Sequence, residues 1–538
     1  MLLPVDLRQW LPEDDLVWHV LDVVDQLDLT GFYARYRVNG QGAAAYDPAM
    51  MLALTLYAHA VGIRSSRMIE RACTRDAGFK VITGLLVPDH STISRFVKIH
   101  QRALRGLFAQ VLRLCHEAGM VRLGVIAIDG TKIAANASWA KSYTADALAH
   151  QVGEEQAAFD ALAARLLEQQ IATDDAEDRE HGPDGGGRND DLPPGLRRKA
   201  ERLERLTRAK AQLKERDAAA RDQMRARQQA KQAAYDAAVA AGNRPRGPRP
   251  KDEIGYRTPR RRRSDGTWSE PAAPRASTTD PDSRRMKAKH GFVQGYNAQA
   301  ATTADHIIVG QRVSQHPTDH HQFADVLDSL TATLRDAGII GEQPGQHASE
   351  QDGQHASEQD GEQDGEQDGE QDGEHTSEQD GEHTSEQDGE HTSEQDGEQV
   401  LVEAGGRVDA LGVVLADAGY ANEDTFRRAE AAGLHLIAPV ASDERLQLGA
   451  DPAAGQDLTE RPATARAQAK LRTDTGRDLY KIRGRTAEPV FAQLKDRRGL
   501  RQFATRGLPS VSTEFSLACT IHNLLKLFTG KPAALNPS

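Results

Sequence analysis

Between residues 342 and 399 the chain repeats Glu-Gln-Asp-Gly and the longer unit Glu-His-Thr-Ser-Glu-Gln-Asp-Gly, with 21 Asp or Glu and no Lys or Arg. Such a tract has almost no apolar side chain to bury. It cannot offset the entropy of ordering and is expected to be disordered, looping out of whatever its flanks build. Any core must therefore be assembled from segments on both sides of it. Its five histidines (His347, His355, His375, His383, His391) offer weak metal binding at most, and a slipped repeat tolerated in a surface loop is the simpler reading. The tract also hides the charge of the rest of the chain. Without its 21 acids the formal net charge of −13 becomes +8, and residues 195–263 carry 22 Lys or Arg against 8 Asp or Glu. A basic folded part suits a polyanionic partner.

At 538 residues the chain is too long for one ordinary core; at ~150 residues per domain it suggests three or four units. The three cysteines, Cys73, Cys115 and Cys519, lie far apart, with neither metal-ligand spacing nor a paired disulfide framework. A reducing cytosol is the natural expectation. No segment approaches the ~18 unbroken apolar residues of a membrane span, so no membrane partner is expected.

Residues 1–120 read as a helical N-terminal domain. Leu16, Val20, Val23 and Val24 share a helical stripe, Asp47-Pro48 marks a helix start, and another opens at Asp89 or Ser91 with Ile93, Phe96, Val97 and His100 on one face. Short helices with Ser, Thr and Arg near their starts, Arg95 among them, suit a DNA-reading helix-turn-helix module or a plain helical bundle with polar caps. Residues 140–285 form a basic insertion in which two helices, at about 145–172 and 195–241, suggest a helical or coiled-coil hairpin with Leu196, Leu203 and Leu206 on its stripe. The remaining pieces, 121–139, 286–340 and 400–530, alternate strand and helix character, with the tract at 341–399 between them.

Two acids end apolar runs. Val125-Ile126-Ala127-Ile128 reads as a buried strand stopped by a turn at Asp129-Gly130-Thr131, and Val413-Val414-Leu415-Ala416 leads into Asp417. A carboxylate at a strand end gains little from burial and must be paired, hydrated or metal-bound. A third acid, Glu488, precedes Pro489, in the first turn of a helix expected to start near Thr486, and Lys495, seven residues on, shares its face. Residues 441–479 read as polar loop. Phosphodiester chemistry needs an activated attacking oxygen and a stabilised leaving oxygen. Two hard Mg²⁺ ions on a few carboxylates meet that need. No cluster of Arg and His surrounds a Ser or Tyr, as a covalent recombinase would require.

Together Asp129-Gly130-Thr131, Gly295-Tyr296-Asn297-Ala298-Gln299, Ala416-Asp417-Ala418-Gly419-Tyr420 and Glu488-Pro489-Val490-Phe491-Ala492-Gln493-Leu494-Lys495 resemble the bacterial insertion-sequence transposases of the Asp-Asp-Glu class. So do Pro88 to Phe96 and the segment from Arg497 to Lys526. The resemblance implies an α/β fold: a ribonuclease-H-like mixed sheet flanked by helices. It implies that Asp129, Asp417 and Glu488 hold two Mg²⁺ ions, with Mn²⁺ as a substitute. It implies contacts to DNA from Tyr480, Arg483 and Lys495. Four residues separate Arg483 from Glu488 where the family's common spacing is three, which leaves Arg485 as the alternative phosphate-facing arginine. The implied activity is metal-dependent cleavage at the element's terminal inverted repeats and joining to target DNA, by a homodimer at the bacterial nucleoid in the cytoplasm. A metal-dependent nuclease and an inactive DNA-binding relic are the alternatives.

Overall fold

The computed structural model describes residues 6–36, 45–181, 194–242, 249, 274–288, 291–320, 322–341, 411–440 and 458–530. The acidic tract and the run Arg260–Arg263 lie outside the described residues.

The N-terminal unit is helical: α1 (Leu16–Asp25), α2 (Thr30–Tyr33), α3 (Pro48–Ala60), α4 (Ser66–Arg75), α5 (Ala77–Thr83), α6 (His90–Ile99) and α7 (Gln101–Glu117). Its starts follow local chemistry. Asp15 and Asp47 accept from the first-turn amides of α1 and α3, and Asp89, rather than Ser91, caps α6 through the Ser91 and Thr92 amides. Its core of Val20, Leu52, Leu56, Ile93 and Leu107 is shared with Leu517, Ile521, Leu524 and Leu527, more than four hundred residues further along.

Those last residues belong to α14 (Leu508–Thr529), which runs between the N-terminal unit and a mixed sheet. The sheet has β1 (Val125–Ala134) at its centre. On one side lie β5 (Gly291–Thr303), antiparallel to β1, and then β6 (Ile308–Ser314), with β4 (Arg284–Ala288) along the other end of β5. On the other side lie β7 (Val413–Ala416) and β8 (His435–Ile437), both parallel to β1. The order β6-β5-β1-β7-β8 places the pieces before and after the acidic tract side by side.

One face, through Ile126 and Ile128, packs on α10 (Phe323–Asp336) and α11 (Glu423–Ala431). The other, through Ala127, packs on Leu471 of α12 (Pro462–Arg472) and Ala487 of α13 (Asp474–Ala492). These two helices correct the expectation of loop over 462–479, while residues 441–457 of that stretch lie outside the described residues. Most of their charged residues face outward, and Ala463, Ala467 and Leu471 supply the apolar part of a buried stripe that also takes in Thr464 and Gln468.

Two long helices, α8 (Ala145–His181) and α9 (Pro194–Ala240), rise from a foot made by β2 (Ser142–Thr144) and β3 (Arg275–Ser277). Leu148 packs on Leu206, Ala209 and Leu213 at the base of this hairpin. Asp282 ties it to the sheet, accepting from Gln212 at 2.5 Å and Arg208 at 3.3 Å and from the Leu508 amide that opens α14. Among the described residues no helix is long and apolar enough to cross a membrane.

Buried His522 on α14 donates from Nε2 to the His306 carbonyl, while its Nδ1 is buried without a partner. Burial pushes its pKa down to about 4, against ~6.5 in an unfolded chain. Between these values the unfolded chain takes a proton that the folded one refuses. Stability is therefore expected to fall by roughly 3 kcal/mol as pH drops from 7 to 4. His522→Gln should flatten that part of the profile in urea titrations, and an unchanged profile would show that His522 is not responsible.

Candidate active site

Asp129 is placed by β1 and Asp417 by the end of β7. Ile128 pairs with Ala416, so the next residues on the two parallel strands are the two aspartates, side by side. Asp417 closes its own turn, accepting from the Gly419 amide at 2.9 Å. Asp129 does not end its strand, as its apolar run suggested. β5 continues the pairing as far as Ala134, because Gly295 to Ala300 lie opposite the polar residues that follow Ile128. The polar stretch is thus strand with one face in the site rather than turn.

Alternation along β1 sorts its residues between the two faces. Asp129 and Thr131 lie on the α13 side. Arg483 from α13 is buried there, with Nη1 3.6 Å from Asp129 Oδ2, and its guanidinium stacks over Tyr480 at 5.7 Å. Lys495 donates to the Thr131 hydroxyl. Gly130 and Lys132 lie on the other side, where Asp319 waits. Asp319 follows β6 and carries no signal in the sequence, because no apolar run precedes it and its partners are twenty or more residues away. It accepts from Asn297 and Gln299 at 2.7 Å each and pairs with Lys132 at 3.1 Å.

Burial pushes the Asp129 carboxyl up to about 7; Arg483 pulls it down, and the Asp417 and Asp319 charges push it up again. A carboxylate in this state is short of positive charge. The donors here are oxygens only, which suits a hard divalent ion. Mg²⁺ needs only one or two protein carboxylates, taking its other ligands from water and phosphate. Asp129 and Asp417 fit that requirement.

Glu488 is not gathered with them. Among the described residues no set of three His, Cys, Asp or Glu is arranged to hold a metal ion. Glu488 is exposed on α13, one turn beyond Gly484, where an added Cβ would lie 3.4 Å from its Oε1. Nor does its helix start at Thr486. It starts at Asp474, so Pro489 sits in the interior. Proline has no amide to give the Arg485 carbonyl four residues back. His306 Nε2 takes that carbonyl instead, at 2.8 Å. The π turn Gln493–Arg497 follows and carries Lys495 toward β1. The Arg485 side chain is exposed.

Arg95 stands apart, exposed on α6. With Ser65, Arg67, His90, Ser94 and Lys98 it lines a groove of about 820 Å³ between the starts of α4 and α6. Tyr296 faces away from Asp319 and donates to Asp280 at 2.8 Å.

Residues 5–98 match the family model described as a transposase domain (DUF772), and residues 454–528 match a transposase DDE domain. No curated protein and no solved structure matches the chain. The first match spans the groove of Arg95, and the second spans Tyr480, Arg483, Arg485, Glu488 and Lys495. These matches at opposite ends of one chain, around a paired-aspartate site, support its placement among the insertion-sequence transposases of the Asp-Asp-Glu class.

Proposed function

We propose that this protein binds the terminal inverted repeats of its element, cuts a strand there and joins the freed 3′-hydroxyl to target DNA. The observation that carries the reading is the pair Asp129 and Asp417, side by side on neighbouring parallel strands beneath the helix of Arg483 and Glu488. The strand order, with three antiparallel strands on one side of the centre and parallel ones on the other, supports a ribonuclease-H-like core.

Asp129 and Asp417 would hold Mg²⁺, or Mn²⁺ in its place, and Glu488, which stands outside their pair on α13, would complete the set on moving in with the DNA; the bound ion would supply Lewis acidity and stabilise the attacking and leaving oxygens of an in-line displacement. The chain's own residues do the rest. Lys495, bonded to Thr131 beside Asp129, presents a cation where a DNA phosphate would lie. Tyr480 stacks on Arg483 and holds it against Asp129; a phosphate arriving with its cations would compete for that guanidinium. Arg485, exposed on the same helix, is the second arginine in reach of the backbone. Arg95 and the groove around it would grip the element end, with phosphate contacts setting affinity and base contacts setting specificity. Cutting two ends together calls for a homodimer.

The test is a strand-transfer assay on DNA carrying the element's own ends, with Mg²⁺ or with chelator. Joined products that vanish in chelator and in Glu488→Gln, with end binding retained, are the expected result. Cuts without joining would favour a nuclease. Tight end binding without chemistry would leave a DNA-binding relic.

A further inference from the structure

We propose that Asp319 is a positioning residue of this site, acting from the back of the sheet: it fixes the two aspartate-bearing segments and holds the Lys132 ammonium away from them. The inference rests on the reading of Asp129 and Asp417 as cation ligands.

Three observations meet at this carboxylate. First, it is wedged between the two segments. A Cβ added to Gly130, next to Asp129, would lie 2.8 Å from Asp319 Oδ1 and would strike the Gln299 amide. A Cβ added to Gly419, two residues after Asp417, would lie 3.4 Å from Asp319 Cβ. Gly130 is required by Asp319 and its partner Gln299, whereas at Gly419 the tight neighbour is Asp417 Oδ1 at 2.9 Å, with Asp319 in ordinary van der Waals contact behind it; Asp319 thus touches both segments.

Second, the carboxylate organises side chains that would otherwise be costly to bury. Asn297 and Gln299 are fully buried on β5, and both amides donate to Asp319 Oδ1. Gln299 Oε1 in turn accepts from the hydroxyl of buried Tyr420, in the turn of Asp417. One chain of hydrogen bonds thus runs from the turn after β6, across β5, to the turn after β7. Asn297 Oδ1 is left buried without a partner. An amide half satisfied in a core is worse than an apolar side chain of the same shape. Its donation to Asp319 is the one role the structure gives it.

Third, there is the charge. Lys132 lies on β1, three residues after Asp129, and its Nζ is 3.1 Å from Asp319 Oδ2 with both side chains largely covered. Without an anion at 319, that ammonium would stand unpaired in a covered position three residues along β1 from Asp129, behind the two aspartates. Its uncompensated positive charge would oppose a divalent ion at that pair.

The experiment is Mn²⁺ binding to the full-length protein without DNA, followed by electron paramagnetic resonance, with strand joining measured in parallel. Asp319→Asn keeps the acceptor for both amides and removes only the charge. It is expected to weaken Mn²⁺ binding about 10- to 100-fold, the usual cost of losing an outer-shell partner, with melting within a few degrees of wild type. Adding Lys132→Met is expected to bring binding back to within about threefold, which a merely structural role would not do. Lys132→Met alone, which leaves the amide network whole, is expected to bind Mn²⁺ at least as tightly as wild type, and this arm stands even should Asp319→Asn not fold. Binding by Asp319→Asn equal to wild type, a loss that Lys132→Met does not recover, or weaker binding by Lys132→Met alone would overturn the inference. A wild-type protein that binds no Mn²⁺ would instead overturn the proposed function.

Discussion

Asp129→Asn is expected to abolish strand joining and, in metal-free buffer, to raise the melting temperature. Both effects come from one cause. The Asp129 carboxyl is pushed up to about 7 by burial, and the charges of Asp417 and Asp319 add to that push. Arg483 compensates only in part, at 3.6 Å. A buried charge without full compensation costs stability and is kept where function requires it. Asparagine has the same shape and keeps an oxygen for the Gly130 amide, now at 2.8 Å, but carries no charge. Removing the charge should raise the melting temperature by a few degrees. It should also remove a ligand whose loss costs several kcal/mol of transition-state stabilisation, a fall of about 10³-fold or more in joining rate. Asp417→Asn should lose as much activity. Scanning calorimetry and the strand-transfer assay read the two effects separately. Joining above a tenth of wild type would sink the site assignment. A lower melting temperature with activity lost would mean that the Asp129–Arg483 pair is chiefly structural.

The sequence announces an acid more readily than its setting. Asp417 was legible because the apolar run before it stops where β7 stops. Asp129 is legible as an acid, but the apolar pattern fails at the first polar residue and so marks it as a strand end. The strand goes on, since β5 supplies backbone partners for Gly130 to Ala134 whatever their side chains are. Pro489 misled in a similar way. Proline is easiest at a helix start, and nothing local shows that His306, 179 residues earlier, takes the carbonyl it frees. Asp319 was out of reach altogether. Its bond to Lys132 spans 187 residues and those to Asn297 and Gln299 span about twenty, and its own neighbours are polar. The two family matches end at 98 and begin at 454, so none of the three aspartates lies within either. The N-terminal unit could be read as helical from its caps and stripes. That it shares a core with the last helix could not, because either stripe alone is satisfied by any apolar partner.

That shared core makes the second large effect. Glu514→Ala is expected to cost roughly 3–5 kcal/mol, the usual range for breaking a buried pair from one side. Glu514 lies on α14 and is largely covered. It accepts from Arg64 of the N-terminal unit, from the Ala504 and Thr505 amides and from the Thr505 hydroxyl. Arg64 also donates to the Gly499 carbonyl at 2.7 Å and the Gln502 carbonyl at 3.2 Å. Alanine would leave an arginine and two amides without their anion at the seam between the units. Melting entropy grows with length, so for a single cooperative unit of this size each kcal/mol is worth about 1 °C, and melting should fall by roughly 3–6 °C. The fall should come as one transition, because Leu517, Ile521, Leu524 and Leu527 sit in the same cluster as Val20, Leu52 and Leu107. Neither unit can lose α14 and keep its core. A shift below about 2 °C, or a separate early melt of residues 1–120 with the sheet intact, would show the seam to be incidental. The consequence for DNA follows from the geometry. A groove of about 870 Å³ crosses the seam, lined by His59, Arg64 and Ser94 on one side and Asn136, Thr505 and Arg506 on the other. The groove of Arg95 is thereby held at a set distance from Asp129. Loosening the seam should therefore uncouple gripping an end from cutting it, so that Glu514→Ala, assayed below its melting temperature, binds ends nearly as wild type but joins them slowly.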